Sequence, residues 1–78
     1  MKRLTLIRMK QKQKAKVVEI LGGSALQNKL MSLGIHPGRE IVKLSHMALR
    51  GPITIKVART VIALGHGMAG KIIVETND

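Results

Sequence analysis

Apolar residues along this chain fall into short blocks separated by glycine, proline and basic residues. Leu4, Leu6 and Ile7 form the first block and predict a short N-terminal strand. The stretch from Ala15 to Leu21 is rich in β-branched residues and stops at Gly22-Gly23, which predicts a strand followed by a turn. Ser24, with Gln27 three residues later, has the spacing of a capping box, in which each side chain satisfies a backbone N–H at the open end of a helix. Leu26, Leu30 and Leu33 follow at i, i+4 and i+7 and draw one apolar stripe along a helix of about ten residues. Gly34 stands where a left-handed residue ends a helix, Ile35 is placed to touch Leu30 across that end, and Pro37 prevents resumption. Pro37-Gly38 turns the chain into a second strand over residues 40–45, and a loop runs from His46 to Pro52. Ile53, Ile55 and Val57 alternate with polar residues and predict a strand with these three facing inward. Residues 60–64 are its hairpin partner across Ala58-Arg59. The glycine-rich run from Gly65 to Gly70 supports no more than one distorted turn, and residues 72–75 form a closing strand. No internal repeat is visible. Five short strands from residue 15 onward, with one helix inserted after the first of them and the N-terminal block docking beside them, predict a mainly β fold, a small, curled, partly closed barrel whose closure would remove exposed strand edges.

Length and composition narrow the picture. Seventy-eight residues make one small domain, spanning 1–78. The chain is 45% hydrophobic yet contains no Phe, Tyr or Trp, so its core must be aliphatic. The absence of Cys removes any disulfide framework, thiolate chemistry or Cys-based zinc site and suits a reducing, intracellular compartment. Unbroken apolar runs do not exceed four residues, whereas a membrane span needs about 20. Nor does the N-terminus offer the apolar stretch of a signal peptide. A cytoplasmic domain is expected.

The formal charge is +10, and it is unevenly placed. Lys2, Arg3, Arg8, Lys10, Lys12, Lys14 and Lys16 put seven of the 14 basic residues into positions 1–16, with no acid among them. The remaining 62 residues carry a net charge of only +3. The run from Lys10 to Lys14 has no apolar residue to anchor it and reads either as a solvated turn or as a patch for phosphate or anionic lipid.

Candidate chemistry is sparse. Glu19, Glu40, Glu75 and Asp78 are scattered, so no paired-carboxylate acid–base site is indicated. His36, His46 and His66 lie in three different turns without the close ligand spacing of a metal site. The methionines read as core filler rather than thioether ligands. Gly22-Gly23-Ser24 opens a helix, where an anion can sit, but the Lys-Ser/Thr pair of a P-loop is missing. No enzyme, cofactor or metal is expected on these grounds. Charge alone attracts nucleic acid, yet barrel-type binders of single strands stack bases on aromatic rings and none is present. A helix-turn-helix would need a second helix. Backbone-only contact with duplexes or structured RNA stays open as an alternative.

One constellation is more specific. Gly22-Gly23 and Leu26, then Lys29-Leu30-Met31-Ser32-Leu33-Gly34-Ile35 and Pro37-Gly38, resemble the FeoA family, small cytoplasmic proteins of bacterial ferrous iron uptake. Pro52-Ile53-Thr54-Ile55, Ala63-Leu64, Ala69 and Ile72-Ile73-Val74 are similar to the family's remaining core positions, so the resemblance runs over about residues 4–75. A similar domain forms the C-terminal module of metal-dependent repressors related to the diphtheria toxin repressor. The resemblance implies an SH3-like β-barrel and a non-enzymatic accessory of the FeoB membrane transporter, acting on its cytoplasmic GTP-binding region. Three departures stand out: Arg50-Gly51-Pro52 where the family commonly has Gly-Asp-Pro, Arg59 where a hairpin glycine is usual, and Gly65 to Gly70 where a charged helix usually follows.

Two surfaces follow as expectations. Lys29, Met31, Ser32, Gly34, His36, Pro37 and Gly38, at the helix end and the turn beyond it, form the partner-docking surface, because Met31 lies off the leucine stripe. The seven basic residues of positions 1–16 form an anionic-lipid surface at the inner face of the membrane. The other functional classes are a small basic nucleic-acid-associated module and a free-standing SH3-like domain akin to that of the repressors. Oligomeric state is left open.

Overall fold

A computed structural model describes residues 2–46 and 51–77. In chain order it contains β1 (Lys2–Thr5), a 3₁₀ turn (Leu6–Arg8), β2 (Lys14–Ile20), α1 (Ser24–Ser32), β3 (Glu40–His46), β4 (Ile53–Val57), β5 (Thr60–Leu64), a one-turn α2 (His66–Ala69) and β6 (Ile72–Thr76). The six strands form one antiparallel sheet in the order β1-β6-β2-β3-β4-β5.

Two expectations are corrected here. Among the described residues the sheet has six strands, because the short N-terminal segment joins the five others as a full member, and its ladder does not close: β1 and β5 are unpaired on their outer sides. The chain leaves β1 into a 3₁₀ turn and leaves β5 into α2, so neither end continues toward the other. The N-terminal strand stops at Thr5, and Leu6 and Ile7 belong to the 3₁₀ turn instead of extending it. That turn drops Leu6 into the core, where it is fully buried.

The core is aliphatic, as composition requires. Leu6, Val17, Leu30, Ile35, Ile41, Ile53, Ile55, Ile72 and Val74 are buried at its centre. In β4, Ile53, Ile55 and Val57 face inward as the alternation predicts. In β2 the alternation would fail without an irregularity. Ala15 and Val17 point in, but Ile20 is three residues further on and also points in. The register shifts between Val17 and Glu19, so Val18 is the extra residue of a β-bulge, which resets the phase and bends the strand. A second shift between Lys43 and Ser45 does the same in β3. Bulges in two adjacent central strands curl the sheet around its apolar face, the open SH3-like form.

The hairpin between β4 and β5 turns on Ala58 and Arg59. The left-handed residue is Ala58, at φ 56°, not Arg59. The steric cost of the left-handed conformation in this hairpin is therefore carried by Ala58, at about 1 kcal/mol. Residues 47–50 of the β3–β4 loop, with Arg50 of the Arg-Gly-Pro departure, lie outside the described residues.

Candidate functional site

Helix α1 begins one residue earlier than a capping box allows. Gly23 is the N-cap, Ser24 is already helical, and no side chain caps the first turn. Gln27 instead donates its amide to the carbonyl of Gly22 at 3.1 Å, fastening the glycine turn to the helix. At the other end the sequence signals are all used. Gly34 adopts φ 87°, its N–H bonds to Met31 O at 2.9 Å, and the N–H of Ile35 bonds to Leu30 O at 2.9 Å. This is a Schellman cap, with Leu30 and Ile35 buried beneath it.

The leucine stripe is only half buried. Leu30 is inside and Leu26 lies against the core, but Leu33 is 39% exposed and Met31 57% exposed. Leu33 is the C-cap residue with φ −92° and ψ 2°, so helical periodicity no longer governs where it points. Sequence reasoning placed Leu33 in the core; it belongs to the surface beside Met31.

The seven residues predicted for docking are brought together at this end. Lys29 and Ser32 are exposed, and the Ser32 hydroxyl donates to Lys29 O at 2.6 Å. His36 is half-buried, and its Nδ1, when protonated, donates to Pro37 O at 3.0 Å. Pro37 and Gly38 are exposed, with Gly38 at φ 94°. The turn is anchored to β2 by two backbone bonds, Gly38 N–H to Val17 O at 2.7 Å and Val17 N–H to Arg39 O at 2.8 Å. Arg39, which the sequence did not single out, braces it further by donating Nε to Gly34 O at 3.0 Å. The result is a fixed shelf displaying Met31 and Leu33 beside Lys29.

The seven basic residues of positions 1–16 are all exposed, except that they do not form a free leader. Lys14 and Lys16 lie within β2, on the face opposite Ala15 and Val17. Arg3 in β1 pairs with Glu75 at 3.2 Å, and Lys16 stands in register with both Glu40 and Glu75. Lys2, Arg8, Lys10 and Lys12 flank this ladder, with Lys12 in a left-handed turn at φ 68°.

What fixes this segment is Lys43, which sequence reasoning passed over. It lies on the core face of β3 beside Ile41 and is 1% exposed. Its ammonium donates to three carbonyls of the N-terminal segment, Leu6 O at 3.1 Å, Ile7 O at 2.8 Å and Met9 O at 2.7 Å. Burial lowers its pKa from the ordinary lysine value, while three carbonyl acceptors favour the charged form. The signal was present: strand alternation from Ile41 puts residue 43 on the inner face. No group of three or more His, Asp or Glu able to hold a metal occurs among the described residues. No described helix is long and apolar enough to cross a membrane.

A small open β-sheet curled around an aliphatic core, with one capped helix, defines a fold of the SH3-like class. The family profile of the FeoA domain matches residues 4–76, and the chain belongs to the FeoA family. Among solved structures, an iron uptake regulatory protein (FeoA) is 39% identical with a TM-score of 0.87, over 96% of this chain and 97% of that one. An FeoA-like protein from Clostridium acetobutylicum is 28% identical with a TM-score of 0.85, over 100% and 91%. ScaR with bound Zn²⁺ is 25% identical with a TM-score of 0.84, the match covering 94% of this chain but only 36% of ScaR. No curated protein matches the chain.

Proposed function

We propose that this protein is a non-enzymatic accessory of ferrous iron uptake that docks on the cytoplasmic GTP-binding region of a FeoB-type transporter. The observation that carries the reading is the FeoA profile across residues 4–76. It is supported by the shelf at the end of α1, which exposes Met31 and Leu33 on a backbone already fixed by the Schellman cap and the bonds to β2. A preorganised apolar patch with a basic rim loses little entropy on association. Lys29, Met31, Ser32, Gly34, His36, Pro37 and Gly38 make the contact. The protein works in the cytoplasm, at the inner face of the membrane.

The test is co-purification with the cytoplasmic part of the cell's own ferrous iron transporter, with and without guanine nucleotide. The double variant Lys29→Glu, Met31→Asp changes only exposed side chains, so its fold should be unaltered by circular dichroism. Transporter capture should fall by about tenfold or more; undiminished capture removes this surface from consideration.

The basic residues Lys2, Arg3, Arg8, Lys10, Lys12, Lys14 and Lys16 concentrate the protein at anionic lipid. Sedimentation with vesicles containing phosphatidylglycerol should show binding at low salt that is lost at high salt. No binding at low salt ends this part of the reading.

The fold shared with a manganese-dependent transcriptional repressor, at a TM-score of 0.86, favours a second reading, a free-standing module akin to a repressor's SH3-like domain. Capture of a regulatory protein in place of the transporter would favour it.

A further inference from the structure

The two open edges of the sheet differ in how they are guarded. β1 carries Lys2 and Arg3 in four residues and is followed at once by the 3₁₀ turn. Charged edge strands resist pairing with other chains. β5 reads Thr60-Val61-Ile62-Ala63-Leu64, with neither a charge nor a proline, and Val61 is 60% exposed.

Its backbone is equally open. In a hairpin closed by two residues, the pair flanking the turn exchanges the ladder hydrogen bonds, here Val57 with Thr60. Alternation then makes Ile55–Ile62 the next bonded pair and turns the N–H and C=O of Val61 and Ala63 toward the open edge.

The charge around this edge is one-sided. The hairpin from Ile53 to Leu64 contains Lys56 and Arg59 and no acid. Lys14, Val42, Lys56 and Val61 stand in register across four strands, so the row that ends at Val61 carries two lysines and no carboxylate. An added strand would place its own residue next in this row. Long side chains can span the roughly 10 Å across one intervening strand to reach Lys56. Pairing with a second copy would instead bring together two chains that each carry +10.

We infer that β5 is an acceptor edge for an extended, acidic segment of a partner protein, which adds as a seventh strand with carboxylates flanking a short apolar or threonine-rich stretch. Backbone bonds to Val61 and Ala63 supply the affinity, and Lys56 and Arg59 select the sign of the ligand's charge. This surface is separate from the shelf at the end of α1, so either can fail without the other.

The probe is the acetylated synthetic peptide Thr-Glu-Val-Thr-Val-Glu-Thr, titrated into the full chain and followed by amide NMR. Shifts should concentrate at residues 60–64, with slowed exchange at Val61 and Ala63. A peptide with Lys replacing both Glu should bind about tenfold more weakly or worse. Val61→Pro removes an outward N–H while sparing the β4 ladder and should abolish binding. Ala63→Pro should do the same, and whichever variant keeps the wild-type spectrum outside β5 decides the matter. Four results would overturn the inference: no shifts in β5 at millimolar peptide, equal binding of the Glu and Lys peptides, retained binding in a folded proline variant, or a dimer paired through β5 by sedimentation and NMR without peptide.

Discussion

The N-terminal arm, residues 2–16, and the helix-to-turn region, residues 24–38, invert the usual relation between polarity and anchoring. The arm is the most basic part of the chain, yet Leu6 and Met9 are buried and Lys43 holds three of its carbonyls. The helix region is richer in leucine, yet Leu33 and Met31 stand in solvent while backbone bonds to β2 do the fixing. Charge does not make a tail, and leucine does not make a core. What decides is where the backbone polar groups find partners.

The sharpest way to break this contrast is Lys43→Met. The substitution preserves the length and apolar stem of the side chain but takes the ammonium from the carbonyls of Ile7 and Met9 and leaves Leu6 O only the Met9 N–H at 3.3 Å, and unsatisfied buried groups cost heavily. Loss of the buried charge offsets part of this, leaving a net destabilisation of about 3 kcal/mol in guanidinium unfolding. Proteolysis should then cut first within residues 2–13. Uniform resistance to cleavage would mean that the arm holds without its lysine.

On the other side of the comparison, Gly34→Ala tests whether the shelf depends on one left-handed residue. At φ 87° alanine is strained, and its Cβ would stand 3.4 Å from Val57 Cγ1. A loss of about 1.5 kcal/mol is expected by thermal unfolding. A neutral result would show that the turn tolerates a different cap.

Arg3→Ala is the mildest probe. It removes the ion pair with Glu75, in which the arginine side chain is 67% exposed. Such pairs contribute little, so stability should drop by no more than about 0.5 kcal/mol. A larger effect would make surface charge, rather than Lys43, the anchor of the arm.

How far the sequence reveals this molecule depends on the kind of signal. The strands around Ile53–Val57 and Thr60–Leu64, and the helix end at Gly34, were legible because alternation and chain-end chemistry act over a few residues. Ser24 as a cap was not, because Gly23 can take the extended cap conformation and shift the start by one position. Leu33 misled because a stripe holds only while the helix continues. The N-terminal strand was legible as a short apolar block, but its pairing was not, because Leu4 meets Val74 from the far end of the sequence, a relation no local pattern records. Lys43 was hidden by its type. Lysine is expected at the surface, and only its partners at residues 6, 7 and 9 explain its burial. The docking residues could be grouped by neighbourhood, but Arg39 as their brace appears only in three dimensions.

Lys43 ties together residues 34 to 37 positions apart, so the segment from Leu6 to Met9 and the third strand share one fate. Local opening of either must release an ammonium and three carbonyls into water at once. Amide deuterium uptake in residues 6–9 and in β3 should therefore proceed as a single cooperative event, and the short segment that follows the first strand becomes a structural timekeeper for the middle of the sheet.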